Sequence, residues 1–261
     1  VFQVRSLAYS FSPNRPVFQD LTFDIPYGAR VLVVGASGSG KSSLLQLMAG
    51  RHEIDAGEIR FKDKSPFKDT ALLKDIALST DLNLDTDGGT LYSNEARSEL
   101  ATIISPETPL SELLKTPGDM FRQHELMDIL KIDPHWKLSE LTPDERKKAQ
   151  ILLSLRQSAS LFLLDNMTSS LDLHTRKHIL GWLKKDSITR STTLIYASDT
   201  LDGMVRGHFG REHDWDYWPT HLLFLKPSHR LTLREFYFAP IAEIEGLKRT
   251  SLLEWCEQWM E

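Results

Sequence analysis

Short apolar runs of strand length alternate along this chain with segments whose apolar positions recur at helical spacing. The pattern predicts strands near 21–25, 30–35, 57–62, 160–165, 192–197 and 221–225, and Val1-Phe2-Gln3-Val4-Arg5 alternates as a strand too. Strands punctuated by helices form an α/β sheet covered by helices. Residues 82–142 break the rhythm, with Pro106, Pro109, Pro117 and Pro134 standing between helical pieces such as 119–132. Proline inside a helix removes a backbone hydrogen bond and clashes with the preceding turn. One long helix is therefore excluded there, and a helical subdomain inserted into the sheet is expected. No window nears the roughly 18 consecutive apolar residues of a membrane-spanning helix. The sequence shows neither a repeat of fixed period nor a low-complexity tract.

Composition changes this picture in few respects. With 261 residues, 41% of them hydrophobic, the chain is long enough to bury a core without disulfides or metals. Cys256 is the single cysteine, so no intramolecular disulfide forms, and a packed thiol in a reducing compartment is its expected state. A net charge of −5 gives no electrostatic reason for strong nonspecific binding to DNA or RNA. The N-terminus lacks the charged-then-apolar pattern of a secretion signal, while the missing initiator Met leaves a trimmed targeting peptide open.

Candidate chemistry begins where an apolar strand ends. Val31-Leu32-Val33-Val34 runs into Gly35-Ala36-Ser37-Gly38-Ser39-Gly40-Lys41-Ser42, followed by the helical pattern Ser43-Leu44-Leu45-Gln46-Leu47-Met48-Ala49 and Gly50. This is a phosphate-binding (Walker A) loop in its strand-loop-helix setting. Its glycines let backbone amides converge on phosphate oxygens, Lys41 brings a cation toward the β- and γ-phosphates, and the Ser42 hydroxyl suits Mg²⁺. A second apolar strand, Leu161-Phe162-Leu163-Leu164, ends in Asp165, a carboxylate that can hold Mg²⁺ through water.

With its continuation Asn166-Met167-Thr168-Ser169-Ser170-Leu171-Asp172, the Asp165 block resembles the Walker B and D-loop sequence of the ATP-binding-cassette (ABC) ATPases. The separation of Lys41 from Asp165 leaves room for that family's helical subdomain. The segments His135-Trp136-Lys137-Leu138, Tyr196-Ala197-Ser198-Asp199, Trp218-Pro219-Thr220-His221-Leu222 and Leu252-Leu253-Glu254-Trp255 are similar to the soluble, transmembrane-free ABC proteins of eukaryotes. The resemblance implies a P-loop NTPase ABC-type nucleotide-binding domain: an α/β, RecA-like core with an antiparallel β subdomain and an inserted helical subdomain. The expected division is 1–81 for the β subdomain and phosphate loop, 82–142 for the helical subdomain, 143–225 for the rest of the core and 226–261 for a C-terminal extension. It also implies ATP and Mg²⁺ as ligands. Residues Gly35, Ser37, Gly38, Ser39, Gly40, Lys41, Ser42 and Ser43 would hold the phosphates, and Ser42 and Asp165 the metal. Phe11 falls where the family's aromatic stacks on adenine, with packing inside the first strands as its alternative.

Departures from the family bear on mechanism. Asn166 follows Asp165 where hydrolytic members carry the glutamate that takes a proton from the attacking water, and Ser198 stands at the switch histidine that contacts the γ-phosphate. The Q-loop glutamine falls near Asp81, which can ligate Mg²⁺ or be a solvent-facing turn residue. Leu141-Thr142-Pro143-Asp144-Glu145 replaces the Leu-Ser-Gly-Gly-Gln signature. It reads as a capping box, with Thr142 as N-cap, Pro143 opening the helix and Glu145 reaching back. A helix start that faces a partner's phosphate in active relatives is thereby filled from within, and Asp144 near a phosphate would repel it.

Other features are less pointed. His208, His213, Asp214, Trp215, Asp216, Tyr217, Trp218 and His221 form a polar, aromatic cluster whose irregular spacing favours a partner-contacting loop over a metal site. The apolar positions of 252–260 are helical in spacing and pack on their own domain or dock to another subunit. Arg146-Lys147-Lys148 is expected on the solvated face of its helix.

The expected function is that of a nucleotide-binding pseudoenzyme, binding ATP-Mg with weak or absent hydrolysis as a structural or regulatory component of a larger protein assembly. The alternative is an active ABC ATPase, soluble or serving a transporter with separate membrane chains, with Asp199 or a partner supplying what is missing. The expected location is intracellular, cytoplasmic in the first instance with an organelle left open, and homodimerisation stays open.

Overall fold

The computed structural model describes residues 1–12, 15–79, 108–115, 118–198, 218–226 and 236–244. Asp81, Pro106, Pro117, Asp199, the segment 208–217 and the C-terminal stretch with Cys256 lie outside the described residues. In chain order the elements are β1 (Phe2–Ser12), β2 (Arg15–Ile25), β3 (Arg30–Val34), α1 (Lys41–Met48), β4 (Ala56–Phe61) and β5 (Ile76–Ser79). There follow α2 (Leu110–Leu113), α3 (Met120–Leu130), α4 (Pro143–Leu155), β6 (Leu161–Asp165), α5 (Leu173–Arg190), β7 (Thr193–Ala197), β8 (His221–Leu225) and β9 (Phe236–Pro240).

A three-stranded antiparallel sheet, ordered β2-β1-β4, holds the N-terminal hairpin. In β1 the buried positions run Phe2, Val4, then Leu7 and Tyr9, an odd step that strict alternation forbids. The ladder shifts register between Val4 and Leu7, and Ser6 lies at φ 43°, so a bulge keeps both halves of the strand facing the core.

The second sheet, ordered β5-β6-β7-β3-β8-β9, is parallel except for β9 at its edge. Its central strands are covered on both faces, which explains their continuous apolar runs. Period-two geometry sorts their side chains. Val31, Val33, Leu161, Leu163 and Ile195 meet α1 and the antiparallel sheet, whereas Leu32, Phe162, Leu164, Tyr196 and Leu222 meet Leu126, Leu152, Leu155, Ile179 and Leu183 of α3, α4 and α5. The strands at 30–35, 57–62, 160–165, 192–197 and 221–225 stand within a residue of expectation. The strand expected at 21–25 begins earlier, at Arg15, because its pairing with β1 extends to Ser12.

Helix ends follow the side chains that cap them. Asp119 accepts from the Arg122 amide (3.1 Å) at the start of α3. In front of α4 the expected capping box forms, with Glu145 N donating to Thr142 Oγ1 (3.3 Å) and Thr142 N to Glu145 Oε2 (2.9 Å). The basic run after it departs from expectation: Lys147 is buried, and Lys148 pairs with Asp144 at 2.5 Å. Three consecutive helical positions sweep about 200° of the helix circumference, so a helix packed into a core cannot present all three to water. Trp218 is corrected as well. It is buried, donates Nε1–H to the Leu180 carbonyl (2.8 Å) and stands edge-on to Tyr196, so it is core rather than a partner-contacting aromatic. His221, on β8, stacks on Phe238, and burial lowers its pKa.

At the start of α5, Asp172 accepts from the amides of His174 (2.9 Å) and Thr175 (3.0 Å). Hydrogen bonds from Thr175, side chain first and amide second, lower its carboxyl from 3.8 to about 2. A depressed carboxyl pKa contributes stability that is present above the unfolded value and lost as pH falls through the folded one. The difference in urea midpoint between the wild type and Asp172→Asn is therefore expected to shrink from pH 4 to pH 2. A difference that stays constant over that window would contradict the assignment.

Candidate functional site

The C-terminal edge of the parallel sheet gathers the candidate residues. Strand β3 hands the chain to loop 35–40, and α1 begins at Lys41. Gly38 and Gly40 adopt φ 80° and 97°, conformations that L side chains rarely tolerate. A Cβ on Gly40 would also lie 2.9 Å from Val17 Cγ1 and Phe18 Cζ, so the start of α1 rests directly on β2. Lys41 is buried, and its ammonium donates to the carbonyls of Gly35 (2.7 Å) and Ala36 (3.1 Å), which draws the loop around it.

One cavity of about 320 Å³ is lined by Phe11, Ser37, Gly38, Gly40, Lys41, Ser42, Ser43 and Asp165 from the residues singled out in the sequence. Gly35 and Ser39 are not in its lining. Gly35 supplies the carbonyl that receives Lys41, and Ser39 is buried behind the loop. Asp81 lies outside the described residues. Phe11 is 58% exposed and meets Tyr9 edge-on at 5.5 Å, so its ring is available at the cavity rather than packed among the strands. Arg15, Val17 and Ala197 also line the cavity and were missed in the sequence. The first two arrive through hairpin pairing, for which the signal was the pair of alternating strands around Pro13-Asn14.

Asp165 ends β6 beside Ala197 of β7. Asn166 follows at φ 45°, its amide donating to the Ala197 carbonyl (2.8 Å), and asparagine tolerates this left-handed conformation better than most residues. Ser198 is buried, with its amide on the Val33 carbonyl (3.2 Å). Asn166 and Ser198 thus both reach the cavity wall.

The lining combines two cations, Arg15 and Lys41, with a helix start, serine hydroxyls and a single carboxylate. Such a set suits a polyphosphate, with the amides and Lys41 taking phosphate charge and the Phe11 ring offering a stacking face. Ser42 and Asp165 are the candidate metal ligands. Among the described residues no cluster of three or more His, Cys, Asp or Glu could hold a metal.

A model of the ABC transporter family matches residues 18–169. CCR4-associated factor 16 of Saccharomyces cerevisiae is 31% identical over 208 residues, covering 78% of this chain and 72% of that protein. ABC transporter I family member 21 of Arabidopsis thaliana is 30% identical over 262 residues, covering 99% and 85%. The structure of the ATP-binding subunit of an ABC transporter matches with a TM-score of 0.74 over 100% of both chains at 14% identity. A dimeric bacterial ABC transporter cassette, MJ0796, matches with a TM-score of 0.63 over 86% of this chain and 94% of its own, at 16% identity. At such identities the solved structures speak for the fold, which is the expected ABC-type P-loop NTPase. Among the described residues no helix is long and apolar enough to cross a membrane. A family match that runs from β2 past the end of β6, and relatives aligned over most of their length, establish that this chain belongs to the ATP-binding-cassette family of nucleotide-binding proteins.

Proposed function

We propose that this chain binds ATP-Mg in the cavity at the edge of the parallel sheet and turns it over slowly or not at all, using the nucleotide as a structural or switching ligand. The carrying observation is Asn166 in the cavity wall directly after Asp165. A carboxamide can orient water but cannot take its proton, and losing a positioned general base removes about 10²–10⁴ of rate. Phe11 would stack on the adenine, Lys41 would meet the β- and γ-phosphates, and the 37–43 segment would cradle them with amides and hydroxyls. Ser42 and, through water, Asp165 would hold Mg²⁺, which when bound neutralises phosphate charge.

The altered signature supports the same reading. The amides that open α4 are capped by Thr142 and Glu145 of the same chain, which leaves them less free to bind a phosphate. Asp144 is paired with Lys148, so the closing of two copies is opposed more by filled donors than by bare charge. A protein partner within a larger assembly is part of the proposal, in line with a yeast relative that is named for an association.

Equilibrium titration with a fluorescent ATP analogue and Mg²⁺ tests the reading. Lys41→Ala, which removes a charge-assisted contact, is expected to weaken binding about tenfold to a hundredfold. At a hundredfold excess over Kd, ATP should stabilise the wild type by about 2.7 kcal/mol. Single-turnover incubation with labelled ATP should return the nucleotide intact. A wild type that gains no thermal stability from ATP, or Lys41-dependent cleavage at rates of about 1 s⁻¹ or faster, contradicts the proposal.

A further inference from the structure

Helix α5 carries His174 and His178 one turn apart, both exposed in its N-terminal half. Residues four apart on a helix lie one above the other, so the two imidazoles share one patch of surface. Their ring centroids stand 4.2 Å apart with the planes tilted by 55°. His178 Nδ1 lies 2.8 Å from the His174 carbonyl oxygen. A carbonyl oxygen only accepts, so Nδ1 carries the hydrogen, and in the neutral ring the lone pair is on Nε2. Histidines that ligate metals are held in this way, the donated N–H fixing tautomer and ring while the other nitrogen keeps its lone pair. Nitrogen ligands sit about 2.0–2.1 Å from Zn²⁺, which in a tetrahedral shell puts two donors about 3.3 Å apart. Rings whose centres are 4.2 Å apart reach that separation by side-chain rotation alone. Next along the same face comes Gly181, where a Cβ would meet nothing within 4 Å, so the flank of His178 is open to further ligands.

We propose that His174 and His178 form a two-imidazole site for a divalent transition metal of the copper, nickel and zinc group, with water in the remaining coordination positions. Water completes the shell because the Asp172 carboxylate is engaged with the amides of His174 and Thr175. Among the described residues no third His, Cys, Asp or Glu joins the pair in a cluster. Neither histidine belongs to the lining of the nucleotide cavity, and the site takes a different cation. Imidazole nitrogens suit copper, nickel and zinc, whereas Mg²⁺ takes oxygen ligands. Bridging the two rings pins the first two turns of α5. Between the histidines, and buried, stands Arg176, which fastens loop 166–172 through the carbonyls of Thr168 (3.2 Å), Ser169 (3.1 Å) and Leu171 (3.3 Å). A bound metal therefore stiffens the helix start from which that loop is held.

Titration of the nucleotide-free protein with Cu²⁺, followed by electron paramagnetic resonance, reads the site. Nucleotide is left out because its phosphate oxygens compete for the metal. The chain has nine histidines, so the assignment is carried by His174→Ala and His178→Ala beside the wild type. The wild type is expected to show a Cu²⁺ site with two coordinated imidazole nitrogens, unmoved by millimolar Mg²⁺. Either variant should leave one such nitrogen and weaken binding about tenfold to a hundredfold, the advantage lost when a second donor is no longer held beside the first. Zn²⁺ should occupy the same site more weakly than Cu²⁺. With saturating Zn²⁺, amide exchange at 178–182 should slow severalfold in the wild type and stay unchanged in His178→Ala. If an alanine variant fails to fold, His178→Gln takes its place with the same expected loss. Equal affinity and nitrogen count in the wild type and the variants puts the metal on other histidines and overturns the proposal. A wild type that binds no Cu²⁺ at micromolar concentration overturns it too, leaving the two rings as a stacked pair only.

Discussion

Replacing Arg122 by alanine is expected to lower the free energy of unfolding by about 3–5 kcal/mol, the scale set by breaking a buried ion pair from one side. Arg122 is 1% exposed at the meeting of three helices. From α3 its Nε donates to the Leu155 carbonyl at the end of α4, and its Nη1 pairs with Asp186 of α5. The guanidinium also lies 4.5 Å from the Trp182 ring centroid and 5.1 Å from that of Phe162. Alanine would remove the cation, vacate the space between two rings and leave a carboxylate that is 8% exposed with Arg190 (3.2 Å) as its remaining ion-pair partner. At about 2–4 °C per kcal/mol for a chain of this size, the melting temperature should fall by roughly 10 °C. The double variant Arg122→Met/Asp186→Leu, which removes both charges and keeps the volume, should recover much of the loss. A urea midpoint unchanged in Arg122→Ala would show that the three helices are held by their apolar contacts alone.

Arg122 also marks where sequence reading ends. The helix at 119–132 was legible from its Asp119 cap and apolar spacing, but an arginine in an amphipathic pattern reads as solvated, and nothing local shows that Trp182 and Asp186 will enclose it. Lys147 hides in the same way. The parallel strands were legible because burial on both faces writes itself as an unbroken apolar run. Strand β5, four residues long, and β9, at the sheet edge, carry too little pattern to separate from loop. Within the site, the phosphate loop is contiguous and so can be read directly, whereas Arg15, Val17 and Ala197 join it only through strand pairing. The phenol of Tyr196, which accepts the Thr168 amide, was not legible either, since a tyrosine in an apolar strand looks like ordinary core.

Asn166→Glu is expected to raise single-turnover ATP cleavage by about 10² or more, toward the 10²–10⁴ that a positioned general base supplies. Position 166 sits in the cavity wall one residue beyond Asp165, with its amide anchored on Ala197, so the new carboxylate has the backbone placement from which to approach an attacking water. At φ 45° a glutamate pays about 1–2 kcal/mol that asparagine largely avoids. That strain is present before and during the reaction, so it should appear as a lower melting temperature and leave the rate untouched. Asn166→Asp isolates reach from charge: it tolerates the left-handed backbone but is one methylene shorter, and its rate should fall between those of asparagine and glutamate. Because position 198, also in the cavity wall, carries a serine and no imidazole, Asn166→Glu/Ser198→His should exceed Asn166→Glu. If Asn166→Glu is folded, binds ATP and cleaves it no faster than the wild type, the missing base is not what limits turnover.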